Sequence, residues 1–132
     1  MPARVHALLV VRPDGRTPAA HHLRLTLAAL DAQTRPVDVL TIVVCGNDSL
    51  AWEAARTAES ATLVAAPAST SFAAALAMCD LDQTADAIWL LAQDTAPEPD
   101  ALLRLAGTLE LAPSAAFVAP KLVRADDRSV IE

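Results

Sequence analysis

The chain has 132 residues, 54% of them hydrophobic, and a formal net charge of −6. That length supports one buried core and excludes two independent domains. No apolar run reaches the roughly 18–20 residues that span a bilayer, and the surplus of acid with scattered Lys and Arg excludes nucleic acid as a partner. Cys45 and Cys79 form no CxxC pair, which leaves reduced thiols and no zinc site as the expectation. Met1 leads directly into a short apolar strand without a secretory signal pattern, so a cytoplasmic location is expected.

In chain order, Val5 to Val11 (VHALLVV) is a continuous, β-branched apolar run, the pattern of a strand buried on both faces of a parallel sheet. A turn cluster follows from Arg12, in which Thr17 can cap a helix and Pro18 can fill its first turn. Leu23, Leu27 and Leu30 then form one helical stripe. Arg35-Pro36 ends that helix, and Val37 to Cys45 reads as a second buried strand, closed by the turn Gly46-Asn47-Asp48-Ser49. A helix is expected over Leu50 to Glu59, a short strand over Ala61 to Ala65, and a small-residue helix over Ser69 to Cys79. Ala87 to Ala92 (AIWLLA) is the fourth strand. After it come a helix bearing Leu102, Leu105 and Leu109 on one face and a fifth strand over Ala115 to Ala119. Strands alternating with helices predict an α/β fold: a three-layer, Rossmann-like, mostly parallel sheet with helices on both faces. Ligands of such sheets bind at the carboxyl ends of the strands.

The segment from Trp89 to Leu105 (WLLAQDTAPEPDALLRL) is the most informative. It is a buried strand ending in an acid, followed by a proline-led helix. A carboxylate there, Asp94, projects into the ligand crevice, where it can hold Mg²⁺ or Mn²⁺ with a diphosphate completing the octahedron. Asp94 and Thr95 also suit the simpler task of ending a strand and capping a turn. Two further segments stand out: Thr26 to Pro36 (TLAALDAQTRP), a helix ending in Gln33-Thr34 before the second strand, and Ser69 to Ala77 (STSFAAALA), a helix start rich in hydroxyls.

Taken in order, from Val5 to about Val123, these segments resemble the N-terminal, nucleotide-sugar-binding part of a family 2 glycosyltransferase of the GT-A fold. In that family the fourth strand ends in two consecutive carboxylates before a proline and an Asp-Ala-Leu helix. Gln93, Asp94, Pro99, Asp100, Ala101 and Leu102 occupy those positions here. The resemblance implies that Asp94 binds the metal, Mg²⁺ or Mn²⁺, and that Gln93 stands at the ribose contact with an amide in place of an acid. Cys45 stands where the family places an acid that reads the base, and Asp48 is near enough in sequence to substitute for it. Ser71 and Ala73 replace glycines around Phe72, where a helix start approaches the nucleotide. The implied nucleotide contacts are thus Arg12, Cys45, Asp48, Ser71 and Gln93.

The bland readings of several residues are structural. Cys45 suits packing better than nucleophilic attack. His21 and His22 point about 100° apart on a helix and do not share a metal. His6 suits a satisfied core position, and Trp52 and Trp89 suit core anchors. No GxGxxG, GxxxxGK[ST] or GxSxG motif is present to favour a rival α/β chemistry. The expected function is donor binding in transfer of a sugar from a nucleoside diphosphate sugar to a glycan or lipid-linked acceptor, in cell-wall or polysaccharide biosynthesis. The catalytic base is expected beyond Glu132, in a longer protein acting at the cytoplasmic face of the membrane, the segment itself making no membrane contact. This portion alone is then inactive, and homodimer contact through exposed apolar surface is a further expectation. The alternative is a catalytically degenerate transferase-like module used in scaffolding or association.

Overall fold

A computed structural model describes residues 3–13, 19–112, 114, 116–120 and 122. The elements run β1 (Val5–Val11), α1 (Ala19–Asp31), β2 (Val39–Cys45), α2 (Ser49–Arg56), β3 (Thr62–Ala66), α3 (Phe72–Ala77), β4 (Ala87–Ala92) and α4 (Ala101–Leu111). The four strands form one parallel sheet in the order β3-β2-β1-β4. This is the expected Rossmann-like α/β fold. Val10 pairs with Val43 on one side and Ala92 on the other, so β1 is central and every residue in it is buried. That is why its sequence is apolar without alternation.

The two sheet faces carry separate cores, which places helices on both sides. Ala7, Leu9, Val11, Ile42 and Val44 pack with Leu23, Leu27 and Leu30 of α1 and with Ala51, Ala54 and Ala55 of α2. Val10, Val43, Cys45 and Ala66 pack with Ala75 of α3, against which Phe72 and Leu76 also lie. The second layer is thinner because α3 is only six residues long. Ile88 and Leu90, on that same face of β4, consequently remain 46% and 51% exposed.

Polar groups inside these layers are matched. His6, fully buried, accepts from the Asp82 N–H at Nδ1 (3.1 Å), so Nε2 carries the ring proton and donates to Thr41 Oγ1 (2.8 Å). Gln33 is the more consequential case. Asp100, the residue before α4, makes no capping bond with its side chain and instead pairs with Arg104. The cap comes from α1's end: Gln33 Oε1 accepts from the Leu102 N–H (3.1 Å) while Nε2 donates to Glu98 O (2.7 Å) and Ala29 O (3.1 Å). The Gln-Thr pair noted in the sequence is therefore a clamp between α1 and the segment leading into α4.

Element boundaries differ from the sequence expectation in places with local causes. The α3 helix starts at Phe72 rather than Ser69, because Ser71 Oγ accepts from the Ala74 N–H (3.1 Å) and so fixes Ser71 as the cap. Residues 116–119, the described part of the expected fifth strand over Ala115 to Ala119, form no strand; Ala116 and Ala119 favour extended pairing poorly. The expected cap Thr17, Pro18, and the positions Ala115, Val123 and Glu132 lie outside the described residues.

The turn before β4 supplies a pH test. Asp82 accepts from the Thr84 hydroxyl (2.7 Å) and amide (2.9 Å) and pairs with Arg4 Nε (2.7 Å). The Thr84 bonds first, and Arg4 after them, lower its carboxyl from 3.8 to about 2. A depressed acid contributes stability above its unfolded value, and that contribution is lost as pH falls from 3.8 through about 2. Urea midpoints measured at about pH 5 and about pH 2.5 should fall more in the wild type than in Asp82→Asn. Equal slopes in the two proteins would show that Asp82 takes no part.

Candidate functional site

The strand order locates the site before any side chain is considered. From β1 the chain moves to β2 and β3 on one side, then crosses back so that β4 joins β1 on the other. The strand order thus reverses between β1 and β4, and their carboxyl ends mark the point where sheets of this kind bind ligands. A cleft of about 350 Å³ lies there, lined by Val10, Arg12, Pro13, Phe72, Ala92, Gln93 and Asp94. Its floor is the sheet's last residues, Val10 and Ala92, with Phe72 of α3 on one wall.

Three of the six residues expected at the site meet in this cleft: Arg12, Gln93 and Asp94. Arg12 extends from the end of β1 and donates from Nε to Thr70 O (3.0 Å), tying the strand to the loop before α3. That bond uses one of the five N–H donors of a guanidinium. Asp94 is exposed, and its carboxylate has no hydrogen bond or ion pair among the described residues. The turn carrying it is fixed on both sides, since Thr95 donates to Ala92 O from its hydroxyl (2.7 Å) and its amide (3.2 Å).

Gln93 is buried and its amide is matched to the backbone of Arg12: Oε1 accepts from the Arg12 N–H (3.1 Å) and Nε2 donates to the Arg12 carbonyl. A primary amide presents one donor and one acceptor side by side, the complement of a peptide unit in an extended strand. The side chain thus adds one more rung between β1 and β4 after the strands have ended. A carboxylate has no donor and would set a charge against the Arg12 carbonyl. Gln93→Glu should therefore destabilise the fold by about 1–3 kcal/mol at neutral pH, read from urea unfolding, and by less once the pH is lowered enough to protonate the new acid. Equal stability at all pH values would remove this account of the amide.

Cys45, Asp48 and Ser71 do not line the cleft. Cys45 is 5% exposed and packs with Ala66 and Phe72. Burial pushes its thiol up from the ordinary value, opposed by the nearby Arg12 guanidinium, so it is a protonated packing group and not a ready nucleophile. Asp48 Oδ1 accepts from the Leu50 N–H (3.0 Å) and caps α2. Gly46, with φ +101°, makes the turn that delivers it. Ser71 caps α3 as described above. Trp52 is half-buried against the α1–α2 core and donates from Nε1 to Gly46 O (3.2 Å), with Arg56 over its ring.

Among the described residues no group of three or more His, Cys, Asp and Glu could hold a metal ion by itself. None of the described helices is long and apolar enough to cross a membrane. A second groove, of about 620 Å³, runs between β4 and α4 along Trp89, Leu102, Leu105 and Phe117.

No family model matches the chain, and no curated protein matches its sequence. Among solved structures, the fold is similar to that of 4-diphosphocytidyl-2C-methyl-D-erythritol synthase, with a TM-score of 0.58 and 18% sequence identity. The match covers 100% of this chain and 69% of that one. At that identity the likeness concerns the fold, and the fold shared is the parallel, Rossmann-like sheet with its helices.

Proposed function

We propose that the chain is the nucleotide-sugar-binding part of a glycosyltransferase similar to family 2, and that the cleft between β1 and β4 takes the diphosphate of the donor. The observation that carries this reading is an exposed carboxylate, Asp94, unpaired among the described residues, that lines with Arg12 a cleft at the topological switch point. Arg12 would meet a phosphate through its guanidinium fork. Asp94 would supply one oxygen to Mg²⁺ or Mn²⁺. Such ions are commonly held by one or two carboxylates with phosphate and water filling the remaining positions, and a single carboxylate fits that demand. The structural neighbour is named for making a diphosphocytidyl compound, which supports a nucleotide as the ligand class. A glycan or lipid-linked acceptor, a role in polysaccharide assembly at the cytoplasmic face of the membrane, and a catalytic base outside the cleft complete the reading.

Calorimetric titration with UDP, GDP and CDP, each with MnCl₂, tests it. The wild type should bind at least one with millimolar affinity or better, and Asp94→Asn should weaken that binding about tenfold or more, a loss of ~1.4 kcal/mol. No heat at millimolar nucleotide, with the fold intact by circular dichroism, counts against donor binding. It would favour the second reading, a transferase-like module kept for association. That alternative has support in the capping roles of Asp48 and Ser71 and the burial of Cys45.

A further inference from the structure

The Asp94 turn is held from a third direction, by a residue that the strand-end chemistry does not call for. Thr26 sits in the middle of α1 with no exposed surface. Its hydroxyl lies 2.7 Å from the carbonyl oxygen of Gln93 and 2.6 Å from that of Thr95, the two residues flanking Asp94. It is also 3.1 Å from His22 O in the turn above. A hydroxyl has one proton. The two short contacts therefore share it as a bifurcated bond, and the weaker bond within the helix gives way to them. Thr26 is thus directed across to the β4 end and not back into its own helix.

We infer that Thr26 is a positioning residue for Asp94: it ties the Gln93 and Thr95 carbonyls, one before and one after that residue, to α1, so that the carboxylate is held ready for the metal and diphosphate. The inference rests on the donor-binding reading above. Three separate devices converge on this one turn: Thr26 from α1, the Gln93 amide bonded to the Arg12 backbone after β1, and the Thr95 hydroxyl from within. The one side chain they leave without a partner is the exposed carboxylate between them. Fixing the flanking backbone while leaving the functional group free is how a site holds a ligand group without spending side-chain ordering at the moment of binding.

The test measures affinity for UDP, GDP and CDP with MnCl₂ in Thr26→Val, Thr26→Ser and Thr41→Val, at a temperature where each is folded by circular dichroism. Thr26→Val keeps the shape and removes the proton. Thr41→Val removes another buried hydroxyl, the partner of His6, on the opposite face of the sheet. Thr26→Val should bind about tenfold more weakly, Thr26→Ser should stay within about twofold of the wild type, and Thr41→Val should lose stability but not affinity. If Thr26→Val does not fold, Thr26→Cys, with its weaker S–H donor, should fall between serine and wild type on one side and complete loss on the other. Wild-type binding with Thr26→Val unchanged overturns the positioning role and leaves the donor-binding reading standing. So does a loss in Thr41→Val as large as that in Thr26→Val, which would make the effect one of general stability. Binding that survives Asp94→Asn yet fails in Thr26→Val would also overturn it, because the turn would then act through another group. Absence of binding in the wild type overturns both.

Discussion

Leu9→Ala is expected to destabilise the chain by about 2–5 kcal/mol. Leu9 lies in the central strand with no exposed surface and stands in the core shared by α1, α2 and the sheet. The loss combines the transfer of the missing carbons with the cavity they leave. A central strand hydrogen-bonded on both sides has little freedom to close that cavity. Since domains of this size have total stabilities of about 5–15 kcal/mol, the variant should unfold at a much lower urea concentration, with an unchanged slope. Leu103→Ala is the matched control: Leu103 is 51% exposed on α4, and its loss should stay within about 0.5 kcal/mol. A Leu9 effect as small as the control would mean that β1 is not the packed centre of the sheet.

The second large effect is expected at Gln33. Removing its side chain in Gln33→Ala strands the Leu102 N–H at the joint between α1 and α4 and takes one of two donors from the Glu98 carbonyl, which keeps the Ala101 N–H (2.9 Å). A buried donor left unsatisfied costs about 1–3 kcal/mol, and that is the loss expected here. Gln33→Glu separates the two halves of the clamp. The acid still accepts from Leu102, but it loses the donor and sets a charge near the carbonyls of Ala29 and Glu98, so it should be at least as damaging as alanine at neutral pH. Hydrogen exchange should report the loss first in the amides at the start of α4. Loss spread evenly over the sheet instead would show that Gln33 does not act as this helix's cap.

What the sequence disclosed, and what it concealed, follows from the range over which each signal acts. β1 and β4 coincide with their expected spans because each is an uninterrupted apolar run closed by polar residues. The face of α1 was visible in Leu23, Leu27 and Leu30, all buried. Phe117 and Val118 are apolar yet form no fifth strand, because a strand needs a partner edge as well as suitable residues, and composition does not supply one. The placement of Asp94 at a strand end, beside the cleft, is legible in the sequence. Gln93 was legible as a position but not as a role, because nothing local reveals that its amide would find a peptide unit 81 residues away. The same applies to Thr26, which reads as an ordinary polar residue in a helix until the partners 67 and 69 residues away are placed beside it. Cys45, Asp48 and Ser71 were assigned by position along the chain, and the structure gives each a packing or capping task outside the cleft.

The switch point has a consequence for how such a chain can change over generations. The residues of the two cores lie in the four strands and on the inner faces of α1, α2 and α3, whereas Arg12 and Asp94 sit on loops and belong to neither core. Substitutions of those two exposed side chains can therefore accumulate with little toll on folding, whereas Gln93 and Thr26, which brace the same turn through their hydrogen bonds, are less free to change. Architecture and cleft chemistry can thus change at different rates, which is why a likeness at 18% identity speaks for the fold alone.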